Sequence, residues 1–200
     1  MGTLLLVRHS QSAQQPDTTA HEWTLSADGR RRCMLLAAAL APWRPTRLVS
    51  SLEAKARETA RITGGLLNRP VTAAAGLEEQ DRRGVGFLAP TAFHAGITAL
   101  LTQPGRRVFG RETGQEAADR FRAALAIVAP PDEATAIVTH GSVLTLYLAG
   151  LGLVDPLPFW QGLGQPALIV LRWPTPTLLQ VRPRLDTISF TAGQGYRLRS

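Results

Sequence analysis

Short apolar runs alternate with stretches of helical periodicity along most of this chain, and that alternation limits the fold more than any other feature. The runs are Thr3 to Val7, Thr46 to Val49, Val71 to Ala75 and Ala134 to Thr139. Ser26 stands where it can cap a helix carrying Leu35, Leu36 and Leu40 on one side, closed by Pro42 and Pro45. Ser50 and Glu53 have the spacing of a capping box, opening a helix to about Leu67 that Asn68 and Pro70 end. Residues 76–90 have no sustained period and read as a loop, and Pro90 to Leu101 reads as helix. Thr113 and Glu116 make a second capping box, for a helix through Val128. A further apolar helix follows His140-Gly141 to about Leu151, and Leu168 to Arg172 and Leu178 to Val181 are two closing strands. Such alternation buries a largely parallel sheet between helical layers. The expected fold is therefore α/β: a three-layer αβα sandwich with a mostly parallel, mixed central sheet, the closing pair adding an antiparallel edge. No repeat, low-complexity tract or linker interrupts the chain, so residues 1–200 are expected to form a single domain.

Charge is the other departure from the ordinary. Lysine and arginine total 22 against 15 acidic residues, and Lys55 is the only lysine. The arginines are scattered without interleaved aromatics, which argues for a compositional bias rather than a nucleic-acid partner. The single cysteine, Cys33, excludes an intrachain disulfide and fits a buried helix position. The apolar stretches Leu4 to Val7 and Met34 to Ala41 are too short for a signal peptide or a bilayer span. A cytoplasmic protein with no membrane partner is expected. Nothing has the His, Cys and carboxylate spacing of a zinc site. Gly84 to Ala89 fits G-x-G-x-x-A by letters, but it follows Asp81-Arg82-Arg83 rather than a strand, so no dinucleotide cofactor is expected.

Ligands of α/β sheets bind beyond the carboxyl ends of the strands. His9 follows the first strand, with Arg8 before it, and His140 follows the fourth, at the start of a helix. Amides at a helix start favour anions, so the pair points to a phosphate or another oxyanion. His21, in the polar loop, and His94, on a helix far from these motifs, read as surface residues.

LLLVRHSQS, SSLEAKARETA, the GLEEQDR loop, ETGQEAADR and IVTHGS stand in this order between residues 4 and 142. In order and spacing they resemble the histidine phosphatase superfamily, its phosphoglycerate-mutase-like branch 1, or "RHG" family. The resemblance implies a two-step phosphoryl transfer without metal or cofactor. By it, His9 is the nucleophile that forms a phosphohistidine, His140 and Arg8 grip the phosphoryl oxygens, and the Gly141 amide adds a donor. Lys55 stands where the family has a second phosphate-binding arginine, with Arg57 as the lower-ranked candidate. Glu79 is the first choice as proton donor to the leaving group, Glu78 and Asp81 being close alternatives. Gln15 stands where related members carry an asparagine, as a phosphate donor or a solvated amide. Ser10 replaces the usual glycine after the nucleophile, and Glu112 orients the loop or a phosphate ligand.

The expected activity is hydrolysis of a phosphate monoester, on a phosphorylated small molecule or a phosphoprotein. The alternatives are a cofactor-dependent phosphoglycerate-type mutase and a catalytically silent phosphate-binding or interaction protein. Mutases of the family carry inserted segments that shield the phosphohistidine, and the modest loops here favour access of water. Oligomeric state is open.

Overall fold

The computed structural model describes residues 1–15 and 17–185. In chain order the elements are β1 (Gly2–Arg8), α1 (Ala27–Leu40), β2 (Arg47–Ser50), α2 (Ala54–Leu67), β3 (Val71–Ala73), α3 (Pro90–Thr102), α4 (Gly114–Val128), β4 (Ala134–Thr139), α5 (Gly141–Gly150), α6 (Pro156–Gly162), β5 (Ala167–Trp173) and β6 (Thr177–Arg182). The strands form one sheet in the order β3-β2-β4-β1-β5-β6. The first four are mutually parallel, while β5 runs antiparallel to β1, and β6 to β5. The mixed sheet and the expected fold class agree.

Side chains of a strand alternate between faces, so one strand feeds both cores. Leu4 and Leu6 of β1 join Ile137, Ile169 and Leu171 under α3, α4 and α5, against Leu100, Phe121 and Tyr147. Leu5 and Val7 face the other way, with Ala136, Val138, Leu168 and Val170, under α1 and α2. Leu36, Leu40, Ala56 and Ala60 are the helical side of that second core. Cys33 is fully buried on α1. Among the described residues, no helix is long and apolar enough to cross a membrane.

The caps divide. Ser26 accepts from the Gly29 amide at the start of α1, and the Thr113–Glu116 capping box is complete at the start of α4. The Ser50–Glu53 box does not form. Ser50 remains in the β ladder, opposite Ala73 and Val138, and so is not free to cap a helix. Glu53 is itself the N-cap of α2, and its side chain makes no capping bond. Its carboxylate goes instead to a buried ammonium, that of Lys55. The third strand stops at Ala73, two residues short of the expected Ala75. The short helix α6, which begins at Pro156, was not expected.

Candidate active site

The carboxyl ends of β1, β2 and β4 lie side by side, Arg8 opposite Thr139 and Ser50 opposite Val138. The ladder continues one residue further. The His9 amide donates to the Thr139 carbonyl at 2.9 Å, and the Ser51 amide to the Val138 carbonyl at 2.9 Å. These bonds hold the next side chains over one pocket. The His9 and His140 rings stand 5.1 Å apart, tilted by 58°. Both are buried, at 5 % and 1 % exposure.

His9 Nδ1 lies 2.7 Å from the carbonyl oxygen of Ser10. A carbonyl only accepts, so Nδ1 carries the proton and Nε2 keeps its lone pair. Burial, reinforced by the nearby Lys55 and Arg8 cations, pushes the His9 pKa well below 6.5. The imidazole is neutral, with a free lone pair rather than a positive charge. Ser10 is not among the positive-φ residues, so its backbone does not demand the glycine usual in the family. Its amide donates to Thr59 Oγ1 at 3.0 Å and its hydroxyl to the Gly29 carbonyl at 2.7 Å, which pins the loop to α1 and α2.

His140 is held from its far side. Ser51 Oγ lies 2.6 Å from His140 Nε2 and accepts from the Glu53 amide at 3.3 Å. We assign the imidazole proton to Nδ1, taking the Ser51 hydroxyl as the donor to Nε2. Burial pushes the His140 pKa well below 6.5, and Lys55 adds to the shift.

Arg8 donates from Nη1 to the Leu163 carbonyl at 2.5 Å. A Cβ at residue 141 would come within 3.0 Å of Arg8 Nε, so glycine there lets the guanidinium lie against the start of α5. Burial lowers the Arg8 pKa to about 10, which leaves it cationic near neutral pH. Arg8 Nε and His140 Nδ1 are buried and have no hydrogen-bond partner. An unmade bond to such a donor costs about 1–3 kcal/mol, so two beside one imidazole call for a ligand that accepts from both.

Of the three acid candidates, the structure directs only Glu79 to this place. Its carboxylate accepts from the amides of Ser142 at 3.0 Å and Val143 at 2.9 Å, at the start of α5. Burial alone would raise its pKa; Arg82, 3.6 Å away, and the amides overcome burial and hold it at about 2. The Gly141 amide, first of the helix, has no intrahelical partner. Glu78 turns to the Gly76 amide and Arg120, and Asp81 to Arg83. Glu112 orients the loop: it accepts from the Asp81 amide and pairs with Arg120, which also donates to the carbonyls of Gly76, Glu78 and Glu79.

Lys55 is buried at the pocket, where its ammonium donates to the Ala20 carbonyl at 2.6 Å and to Glu53. Arg57 is exposed on another face of α2. Gln15 is exposed on the outer loop, and its carbonyl accepts from Thr18 and Trp23. Among the described residues, no hydrogen bond joins the Gln15 side chain to the pocket. His21 is half exposed, 3.7 Å from Glu53, and His94 is exposed on α3 beside Trp160. No group of three or more His, Cys, Asp or Glu is placed to hold a metal ion among the described residues.

The family model described as histidine phosphatase superfamily (branch 1) matches residues 4–175. The chain belongs to that family. No curated protein sequence matches this superfamily member significantly. Among solved structures it is similar to the mycobacterial glucosyl-3-phosphoglycerate phosphatase in complex with inorganic phosphate, at 22 % identity and a TM-score of 0.68, over 92 % of this chain and 99 % of that one. It is also similar to the Entamoeba histolytica phosphoserine phosphatase in complex with 3-phosphoglyceric acid, at 16 % identity and 0.72, over 93 % and 99 %. Bacillus stearothermophilus YhfR matches at 18 % identity and 0.66, over 90 % and 95 %.

Sequence reasoning missed Ser51, Glu53 as a pocket carboxylate, Arg82, and the Leu163 carbonyl. Ser51 carried the signal that singled out the histidines: it follows an apolar strand directly. Arg82 lies in a loop, donates to Ser142 Oγ at 2.8 Å and sits over the Phe93 ring, a position no local pattern marks.

Proposed function

We infer that this superfamily member is a phosphatase that hydrolyses phosphate monoesters through a phosphohistidine on His9. The observation that carries the reading is the pair of buried, partnerless donors, Arg8 Nε and His140 Nδ1, beside an imidazole whose Nε2 is free. A phosphoryl group satisfies both donors at once, and the Gly141 amide and the third N–H of Lys55 complete its surroundings. The phosphatase names of the structurally similar proteins support the same class of reaction.

His9 Nε2 attacks phosphorus, an N–P bond forms, and the ester P–O bond breaks on the opposite side. Arg8, Lys55 and His140 hold the equatorial oxygens, where preorganised donors act on developing charge. The leaving alkoxide takes a proton from Glu79. Water then attacks the phosphohistidine, gives its proton to the Glu79 carboxylate and releases phosphate with His9 restored. Glu79 is ionised near neutral pH, with its pKa at about 2. A phosphate ester, whose second ionisation falls near pH ~6, brings the needed proton as the monoanion and raises the carboxylate pKa by repulsion as a dianion.

Trapping with a radiolabelled phosphodonor tests this reading. The wild type is expected to give an acid-labile, alkali-stable phosphoenzyme, and His9→Ala none. Equal labelling of both proteins, or turnover retained in His9→Ala, rejects the assignment.

A further inference from the structure

Glu53 is a pocket carboxylate to which the phosphatase reading gives no part. It is 3 % exposed. One carboxylate oxygen accepts from the Lys55 ammonium. The other accepts from the Glu79 amide at 2.9 Å and lies 3.4 Å from His140 Nε2 and 3.7 Å from His21 Nδ1. The Lys55 ammonium of α2 and the Glu79 amide hold the carboxylate, with the His140 and His21 rings beside it.

That position matters because of what Lys55 has left to give. An ammonium has three N–H groups. One goes to the Ala20 carbonyl and one to Glu53, which leaves one for a phosphoryl oxygen. With both histidines neutral, three cations (Arg8, Lys55 and Arg82) face two carboxylates (Glu53 and Glu79). Phosphate therefore meets a lysine whose charge is already half answered.

We propose that Glu53 is a built-in counter-ion: it orients the Lys55 ammonium and offsets its charge, so that the pocket releases inorganic phosphate readily. Affinity for phosphate common to substrate, transition state and product does not speed the chemical step, and it retards departure of the product. The proposal rests on the reading above, in which Lys55 grips the phosphoryl group. It gives Lys55 a reason for not being an arginine. A compact point charge can satisfy Ala20, Glu53 and phosphate in turn, whereas a planar fork fixes its donors in one plane.

The sign of one measurement separates this role from a merely structural one. Inorganic phosphate is titrated by calorimetry into the wild type and Glu53→Gln, and phosphate inhibition is measured on p-nitrophenyl phosphate. Glu53→Gln is expected to bind phosphate about tenfold more tightly, the effect of removing one like charge from a partly screened pocket, with a lower KM and no gain in kcat. If Glu53 only supported the loop, its loss would loosen Lys55 and weaken phosphate binding. An unchanged or raised Kd overturns the proposal. Should Glu53→Gln not fold, Lys55→Met and the Glu53→Gln/Lys55→Met pair decide: the double variant, which buries no unpaired charge, is expected to bind phosphate more tightly than Lys55→Met alone. If it does not, the counter-ion role is wrong. A wild type that neither binds phosphate nor hydrolyses any phosphomonoester defeats the phosphatase reading itself.

Discussion

Acidification from pH 7.5 to pH 5.5 should destabilise this fold through its two pocket histidines. Burial pushes the pKa of both His9 and His140 well below 6.5, so the folded chain leaves them neutral while the unfolded chain protonates them. The unfolded state then binds more protons, and stability falls as pH falls through 6.5. Each histidine then costs on the order of 1 kcal/mol at pH 5.5 and almost nothing at pH 7.5. The expected loss is on the order of 2 kcal/mol for the pair, a large share of a typical domain's stability. Glu79 works in the same direction, but its depressed pKa is felt only as pH falls below 4.5, outside this interval. Urea unfolding in phosphate-free buffer at the two pH values measures the difference. The His9→Gln/His140→Gln variant should lose most of the dependence. A wild-type drop below about 1 kcal/mol, or an equal drop in the double variant, would refute the claim that both imidazoles are held neutral.

Two further outcomes concern the phosphate ligands and the acid. Lys55→Ala is expected to lower kcat/KM at least about tenfold, as loss of a charged hydrogen bond does, whereas Arg57→Ala, on the exposed face of α2, stays within about twofold. The opposite ranking in steady-state assays would show that the wrong cation was chosen. Glu79→Gln should lose about 10²- to 10⁴-fold on an alkyl phosphate and much less on p-nitrophenyl phosphate, whose leaving group needs no proton. A uniform loss across leaving groups removes Glu79 from the acid role.

Much of this molecule is written locally. Leu4 and Leu6 against Leu5 and Val7 already state that β1 serves two cores, because alternation is a property of the strand itself. The Thr113–Glu116 box forms because both partners belong to one helical turn. The Ser50–Glu53 box has the same letters and fails, since β2 keeps Ser50 paired on both sides and a buried ammonium draws Glu53 away. The helix α6 escaped notice because seven residues with Pro156 and Pro158 carry too few turns to show a period.

The pocket divides in the same way. Arg8, His9 and His140 were legible because each stands at a strand end, which is visible in sequence, and the family resemblance added Gly141. The family resemblance ranked Glu79 first but left Glu78 and Asp81 open, because which carboxylate reaches the α5 amides depends on the shape of a loop. Ser51 and Glu53 join the site through the register of β2 against β4, a relation between residues about 88 positions apart that no local pattern encodes. The sequence by itself determined the layers and the two histidines. Which donors remain unpaired, and which anion stands against Lys55, only the packed structure decided, because burial and hydrogen-bond satisfaction exist only once distant segments meet.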